Sequence, residues 1–419
     1  MTYIEFFDTL ATENLGASLT NEFDRLIFIG DKIHIMKSQV KNYEDLLKKK
    51  NDKLIIEFEE VPLGDAVTAE EVITRIVTTH ENCVFDLTGG DTVLALALGI
   101  VKGKHPDINI QIQKVNLKRN IVFDCDLDGE TVSRITPSLL VEQHIKAYGG
   151  DVVYGKVDDY NKTYRWALDE EFLNDFNEMW AICKQDPSAW NAQMGVFASI
   201  EKFGTVQDGV TTTAQKARVE RYLKENDSEI KNIKKITKAL LSKGLLIDLD
   251  LQDNNLLSVT YKSKRIKRCL VTAGQMLEML VFITAKQLRD KQGKLIYDDA
   301  LNGVVIDWDG KIHTTPPDSL YETKNEIDVF LMHDMIPVFI SCKSGKIKSE
   351  ELYKLDSVAE HFGGKYAKRV LIATALDDKK NDGESIRKRA ADMGIRLIEK
   401  KECFDPVKLA KCLAEVWDK

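Results

Sequence analysis

Apolar residues in the first third of the chain fall into short continuous runs, separated by segments in which they recur every three or four positions. Residues 4–7, 26–29, 54–58, 83–87 and 108–112 are runs of the first kind, rich in β-branched and aromatic side chains; they predict strands of a sheet buried on both faces. Residues 43–50, 69–79 and 92–102 carry helical spacing. This alternation predicts an α/β domain over residues 1–151, a parallel, doubly wound Rossmann-like sheet with ligands at the carboxyl ends of its strands.

The pattern changes at about residue 152, where charged helical segments take over, with Trp166, Trp180 and Trp190 as apolar anchors. Ile230, Ile233, Ile236 and Leu240 mark an amphipathic helix stopped by Gly244, followed by strands 245–249 and 256–261 around Asp253-Asn254-Asn255. Helix then hairpin predicts a winged-helix-like connector over 152–269. The hairpin leads into the densest basic run of the chain, Lys262 to Arg268, either a solvated strand edge or a surface that tracks phosphates. From 270 to 419 the order is helix (275–288), strands (303–306, 326–332, 336–343), helix (350–362), strand (369–373), helix (384–393) and strand (396–398).

A chain of 419 residues exceeds one ordinary core, and 43% hydrophobic with 30% charged residues is the balance of a globular protein. Seven scattered cysteines without a C-x-x-C pair predict free thiols in a reducing compartment, and dispersed histidines give a zinc site no support. The first ten residues carry Glu5 and Asp8 and no basic segment, and no apolar stretch is long enough to span a bilayer; a cytoplasmic protein without membrane contact is expected. At a net charge of -8, any nucleic-acid-binding surface must be local.

One such locality is the run from Asn325 to Lys343. A hairpin register centred between Asp334 and Met335 sets Asp328 opposite Ser341 and Glu326 opposite Lys343, with Ser341 and Lys343 on one face. Glu278 interrupts the apolar stripe of the preceding helix. Carboxylates that hold a hard cation, beside a lysine that steadies developing charge, are the equipment of phosphodiester hydrolysis. Lys346, Lys348 and Lys354, with Tyr353, follow as candidate contacts to a nucleic-acid strand.

Residues 270–400 resemble the P-D-(D/E)-x-K restriction-endonuclease-like superfamily, whose core order is αβββαβ. The resemblance implies Glu278 as the helix acid, Asp328 as the central metal ligand, Lys343 as the motif lysine and Mn²⁺ or Mg²⁺ as cofactor held by Glu278 and Asp328. Ser341 stands where the motif usually has a second acid, and Glu326 is placed to compensate across the strands.

A second constellation is Phe85-Asp86-Leu87-Thr88-Gly89-Gly90-Asp91-Thr92, between a strand and a helix. Two glycines at a helix N-terminus let backbone N–H groups approach an anion. The loop lacks a Walker lysine and the third glycine of a dinucleotide fingerprint, so triphosphate hydrolysis is not predicted. Strand, Thr-Gly-Gly and an Ala/Leu-rich helix resemble the ligand loop of CARF sensor domains, and Glu13-Asn14-Leu15 resembles their first helix start. This resemblance implies Asn14, Thr88, Gly89, Gly90, Asp91 and Thr92 as ligand-binding residues. Sensor, connector and nuclease together resemble the CARF-nuclease effectors of type III CRISPR antiviral defence. That membership implies a homodimer activated by a cyclic oligoadenylate, cyclic tetra-adenylate in particular, cutting single-stranded DNA, RNA or both. The alternative is a ligand-responsive DNA-binding regulator with an inactive nuclease fold.

Overall fold

The computed structural model describes residues 1–417 apart from 126–132, 136, 227, 253–254, 273, 311–323, 346 and 377–380. Five strands, β1 (Thr2–Phe6), β2 (Arg25–Gly30), β3 (Ile55–Glu60), β4 (Cys83–Asp86) and β5 (Ile110–Asn116), lie parallel in the order β3-β2-β1-β4-β5. Two antiparallel strands, β6 (Ile121–Asp124) and β7 (Ser133–Ile135), extend the β5 edge. Period-two alternation sends Tyr3, Leu26 and Phe28 to a core shared with α1 (Ala11–Ser18) and α2 (Ile33–Lys48). Ile4, Ile27 and Ile29 go to the other face, against α3 (Ala66–Thr79) and α4 (Thr92–Lys104). The sheet is Rossmann-like, and its winding reverses between β1 and β4, where such sheets open a crevice.

The chain leaves through α5 (Val141–Ala147) and β8 (Asp151–Val152). Next come α6 (Glu170–Cys183), α7 (Pro187–Phe203), β9 (Thr205–Gln207), β10 (Thr211–Gln215), α8 (Lys216–Glu225), α9 (Lys234–Ser242), β11 (Leu246–Asp250) and β12 (Leu256–Tyr261). The expected helix and hairpin are α9 and β11–β12, although positions 253 and 254 of the turn lie outside the described residues. The sheet is larger than a single wing, four antiparallel strands ordered β11-β12-β10-β9. The added hairpin turns through the three-residue loop Asp208-Gly209-Val210, where Asp208 (φ 50) and Gly209 (φ 81) take left-handed backbone, the conformation that Asp and Gly tolerate best.

The basic run corrects both readings offered for it, because its second half is the helix α10 (Lys264–Val271). Lys262 pairs with Asp175 at 2.8 Å, Lys264 with Asp158 at 3.4 Å, Arg265 with Asp169 at 2.5 Å and the buried Lys267 with Glu201 at 3.0 Å. Arg268 donates to the carbonyls of Val157, Asp159 and Lys162. These cations fasten the connector to itself and leave little charge for a phosphate backbone.

The C-terminal region contains α11 (Gln275–Gln287), β13 (Asp299–Asp307), β14 (Lys324–His333), β15 (Ile336–Lys343), α12 (Glu350–Gly363), β16 (Lys368–Ala373), α13 (Asn381–Asp392), β17 (Ile395–Glu399), α14 (Lys400–Cys403) and α15 (Pro406–Ala414). Its six-stranded sheet is ordered β17-β16-β15-β14-β13-β8, so the predicted αβββαβ succession is present. Val329, Leu331, Val338 and Ile340 pack toward α11 and the connector. Phe330, Met332 and Phe339 pack toward α12 and the N-terminal sheet's helices. No single helix among the described residues is long and apolar enough to cross a membrane.

Candidate active site and ligand cleft

The strand register β14 to β15 runs from His333↔Ile336 to Val329↔Ile340, the register read from the sequence. Continuing it places Asp328 beside Ser341. Asp328 Oδ2 accepts from Ser341 Oγ at 3.2 Å and from the Cys342 backbone N–H at 2.6 Å, so the acid is clamped to the neighbouring strand by its own carboxylate. Lys343 Nζ stands 3.6 Å from Asp328 and 3.4 Å from Glu351 of α12.

Gly274 (φ 83) caps α11 in a left-handed conformation, and a Cβ there would meet Glu278 Oε1 at 3.1 Å. The bare glycine therefore leaves room for the buried Glu278 carboxylate to turn toward the strands. Asn302 braces the same corner. It donates from Nδ2 to the Asp328 carbonyl at 3.1 Å and accepts from Gln275 Nε2 at 2.7 Å.

Glu278, Glu326, Asp328 and Lys343 thus line one cleft of about 810 Å³. Burial raises the Glu278 carboxyl well above its usual range, and the Asp328 and Glu326 charges push it further, with Lys343 opposing. Asp328 is raised by burial against the pull of Lys343. Glu326, at the open rim, is raised by partial desolvation and by Asp328. Burial works against the Lys343 ammonium, but Asp328 and Glu351 outweigh it and its pKa rises.

Three acids raised by burial, two of them further by neighbouring carboxylates, and one lysine shared between two carboxylates describe a site short of positive charge. No three His, Cys, Asp or Glu side chains among the described residues are already gathered as a ready metal cage. That arrangement suits a Mg²⁺-type ion, which is held by one or two carboxylates together with waters and substrate phosphate.

Of the expected strand-binding lysines, Lys348 and Lys354 are exposed, Lys354 pairs with Glu351 at 3.2 Å, and Lys346 lies outside the described residues. Tyr353 is exposed beneath the Arg389 guanidinium, 5.7 Å from the ring centre.

The second cleft, about 380 Å³, opens at the carboxyl ends of β1, β2 and β4, lined by Asp8, Thr9, Asp31, Lys32, Gly90 and Asp91 among others. Gly90 has φ 78, and a Cβ on it would fall 2.5 Å from Phe6 Cβ; the loop passes too close to β1 for any side chain. Asp91 caps α4 at Val93 N and accepts from Gly64 N at 3.1 Å.

Other expected ligand residues stand behind this surface. Thr88 is tied down, donating to Asp86 Oδ1 at 2.5 Å and accepting from Val115 N at 2.7 Å. Buried Asn14 accepts from Asp8 N at 2.8 Å and donates to Asp8 O at 2.7 Å, so it shapes the β1 loop from below. Gly89 packs on Asp8 Cβ, and exposed Thr92 turns to Asp91. Beneath the loop, Glu5 and Asp86 are both buried. Burial and the neighbouring acid raise Glu5, and burial pushes Asp86 up to about 6.

Sequence reasoning missed Asp8, Asp31 and Lys32 as cleft residues, although strand-end positions in a doubly wound sheet are the signal that finds them. It missed Asn302, Gln275 and Glu351 because only the packing of helices on strands brings them to the acids.

Among known proteins, residues 263–411 match the family model described as the Card1-like endonuclease domain. The whole chain superposes on protein VC1899 from Vibrio cholerae with TM-score 0.72 and 18% identity, covering 100% of this chain and 98% of that one. It also superposes on Can2 from Sulfobacillus thermosulfidooxidans, solved in complex with cyclic tetra-adenylate, with TM-score 0.65 and 16% identity, covering 100% and 99%. At these identities the likeness is one of fold. A stretch of 155 residues, 35% of the chain, is 34% identical to the bifunctional protein HldE of a Nitratiruptor species and spans only 28% of that protein's length.

Proposed function

From the premise that residues 263–411 form a Card1-like endonuclease domain, we propose that this chain is a CARF-nuclease effector: a cyclic-oligoadenylate-activated, metal-dependent endonuclease that cuts single-stranded DNA, RNA or both. The observation that carries the reading is the convergence of Glu278, Asp328 and Lys343 on one cleft. We assign sensing to residues 1–151, connection to 152–269 and cleavage to 270–419.

Glu278 and Asp328 would hold Mn²⁺ or Mg²⁺, which when bound neutralises phosphoryl charge and acidifies a water. Ser341 and the Cys342 N–H fix the Asp328 carboxylate, Asn302 fixes the corner, and Lys343 presents its ammonium to the developing oxyanion. Glu326 supplies the negative charge that Ser341 does not.

The sensor cleft is the half-site for cyclic tetra-adenylate. The α4 N-terminus favours phosphate, and Asp8, Asp31 and Asp91 can accept from amino and hydroxyl groups. A ligand with two-fold symmetry fits a homodimer whose paired clefts face each other. In support, α4 exposes Leu96 and Ile100, and Val67 and the cleft-lining Leu63 are 69% and 77% exposed, exposed apolar side chains of the kind that mark interfaces. The Can2 structure holds this ligand in the same fold.

The test is cleavage of labelled single-stranded DNA and RNA with and without cyclic tetra-adenylate, in Mn²⁺ and in EDTA. Cutting is expected only with activator and metal together. Asp328→Ala and Lys343→Ala should each lower the rate by ~100-fold or more while ligand binding by calorimetry stays intact. Equal cutting without activator, or in EDTA, overturns the reading.

A further inference from the structure

The catalytic cleft has two walls. The acids and Lys343 belong to the C-terminal sheet and α11, but the facing wall is built by the connector, from Tyr160 and Asn161 and from Ala198, Glu201 and Lys202 of α7 and its end. A nucleic-acid strand entering this space meets Glu278, Glu326 and Asp328, so its phosphates need a compensating cation.

Two lysines line the cleft among the described residues, Lys202 and Lys343. Lys343 is shared between Asp328 and Glu351. Glu201, the acid next to Lys202, is spent elsewhere: it pairs with Lys267 at 3.0 Å and accepts from Thr212 at 2.6 Å and from Tyr160 Oη at 3.0 Å. Lys202 has no carboxylate partner among the described residues; its ammonium lies 4.1 Å from the Tyr222 ring centre and 5.5 Å from that of Phe203. A cation resting on aromatic faces is held in place at little cost to its charge, whereas the neighbouring basic run is consumed by internal ion pairs.

Resting on the nuclease reading above, we propose that Lys202 binds a phosphate of the substrate strand flanking the scissile bond, making the connector one half of the substrate site. The occupant is a single nucleic-acid strand, DNA and RNA sharing the phosphodiester that Lys202 recognises. The ammonium fixes the strand's register, and the acids and Lys343 act on the neighbouring linkage.

Fluorescence anisotropy with short labelled DNA and RNA strands tests this on the full chain. The buffer holds cyclic tetra-adenylate, with Ca²⁺ in place of Mn²⁺ and recovery of the intact strand checked on a gel. Lys202→Met keeps the aliphatic stem over Tyr222 and removes the charge. It should weaken binding ~10-fold and flatten the slope of log affinity against log salt by about 0.7, the contribution of one phosphate contact on a single strand. Lys202→Arg should restore both. Loss in one arm only supports the inference and assigns the strand type. Unchanged affinity and salt slope for Lys202→Met in both arms overturns the inference, as does absence of binding by the unaltered chain. If strands bind through Lys202 but Mn²⁺ yields no cutting, the nuclease reading fails, and what stands is Lys202 as a phosphate contact of a strand-binding cleft.

Discussion

At Ser341 a hydroxyl sits where a second acid would crowd Asp328, and it donates to that carboxylate at 3.2 Å. Replacing Ser341 with Glu removes a donor and adds a charge to a cluster already raised by desolvation and repulsion. Ser341→Glu should therefore lower the melting temperature of the metal-free protein and enlarge the stabilisation produced by added Mn²⁺, both read by scanning calorimetry. An unchanged metal response would show that position 341 does not face the ion. Asp86 offers a pH prediction. Its folded pKa of about 6 lies above its ordinary value of 3.8, so between those values the folded state holds more protons and stability falls as pH rises, levelling off above about 6. Asp86→Asn removes that titration, and the gain in melting temperature over the parent should be larger at pH 8 than at pH 4.5. The Asp328, Ser341 and Lys343 placements were legible from period-two alternation about one turn. Asn14 was found as a residue type, but its burial under the Asp8 loop was not, because composition does not reveal which side of a loop a side chain supports.

Among elements, α4 combines two properties that rarely serve a buried helix: its N-terminus rims the ligand cleft, and Leu96 stays 60% exposed. If that face pairs with a second copy, Leu96→Glu should turn a dimer into a monomer in sedimentation velocity and abolish activator-dependent cutting while single-strand binding persists. A monomeric parent protein would sink this prediction. Strand identities were readable because continuous β-branched runs in a doubly buried sheet have few other uses. Helix starts were less so. α2 begins at Ile33, ten residues before the apolar spacing became plain at Tyr43, since Lys37, Ser38 and Gln39 dilute the stripe of Met36 and Val40. The Lys262 to Arg268 run misled for a different reason. Charge density along a sequence counts cations but not the acids that Asp158, Asp169, Asp175 and Glu201 bring from elsewhere in the chain.

Across the whole molecule, the C-terminal sheet lies between two cores, one shared with the middle region and one with the N-terminal domain. The contact with the N-terminal domain is concrete. Buried Glu13 of α1 pairs with Lys365 at 2.7 Å and accepts from Tyr366 Oη at 2.5 Å, at the junction of α12 and β16. Its neighbour Asn14 holds the Asp8 loop of the ligand cleft, and α12 carries Glu351 to Lys343. One short helix thus touches the N-terminal cleft at one end of a chain of contacts that reaches Lys343. Glu13→Gln should leave activator affinity within a few fold and reduce the activation ratio of cleavage by ~10-fold, a coupling change of the usual size for linked sites. Equal activation by parent and variant would remove this route.

What the sequence determined alone was local and periodic: the long buried strands, the more strongly patterned helices, the hairpin register and the residue types of both sites, while the short strands β6 to β10 and the helices α5 to α8, α10, α14 and α15 were not read. What it did determine follows from nearest-neighbour sterics and the burial of alternating faces, which act over a few residues. The tertiary structure decided which charges remain available, which polar groups are buried and what forms the second wall of the cleft. Those depend on partners a hundred or more positions away, such as Lys365 for Glu13 and Asp158 for Lys264, and no local pattern encodes who the partner will be.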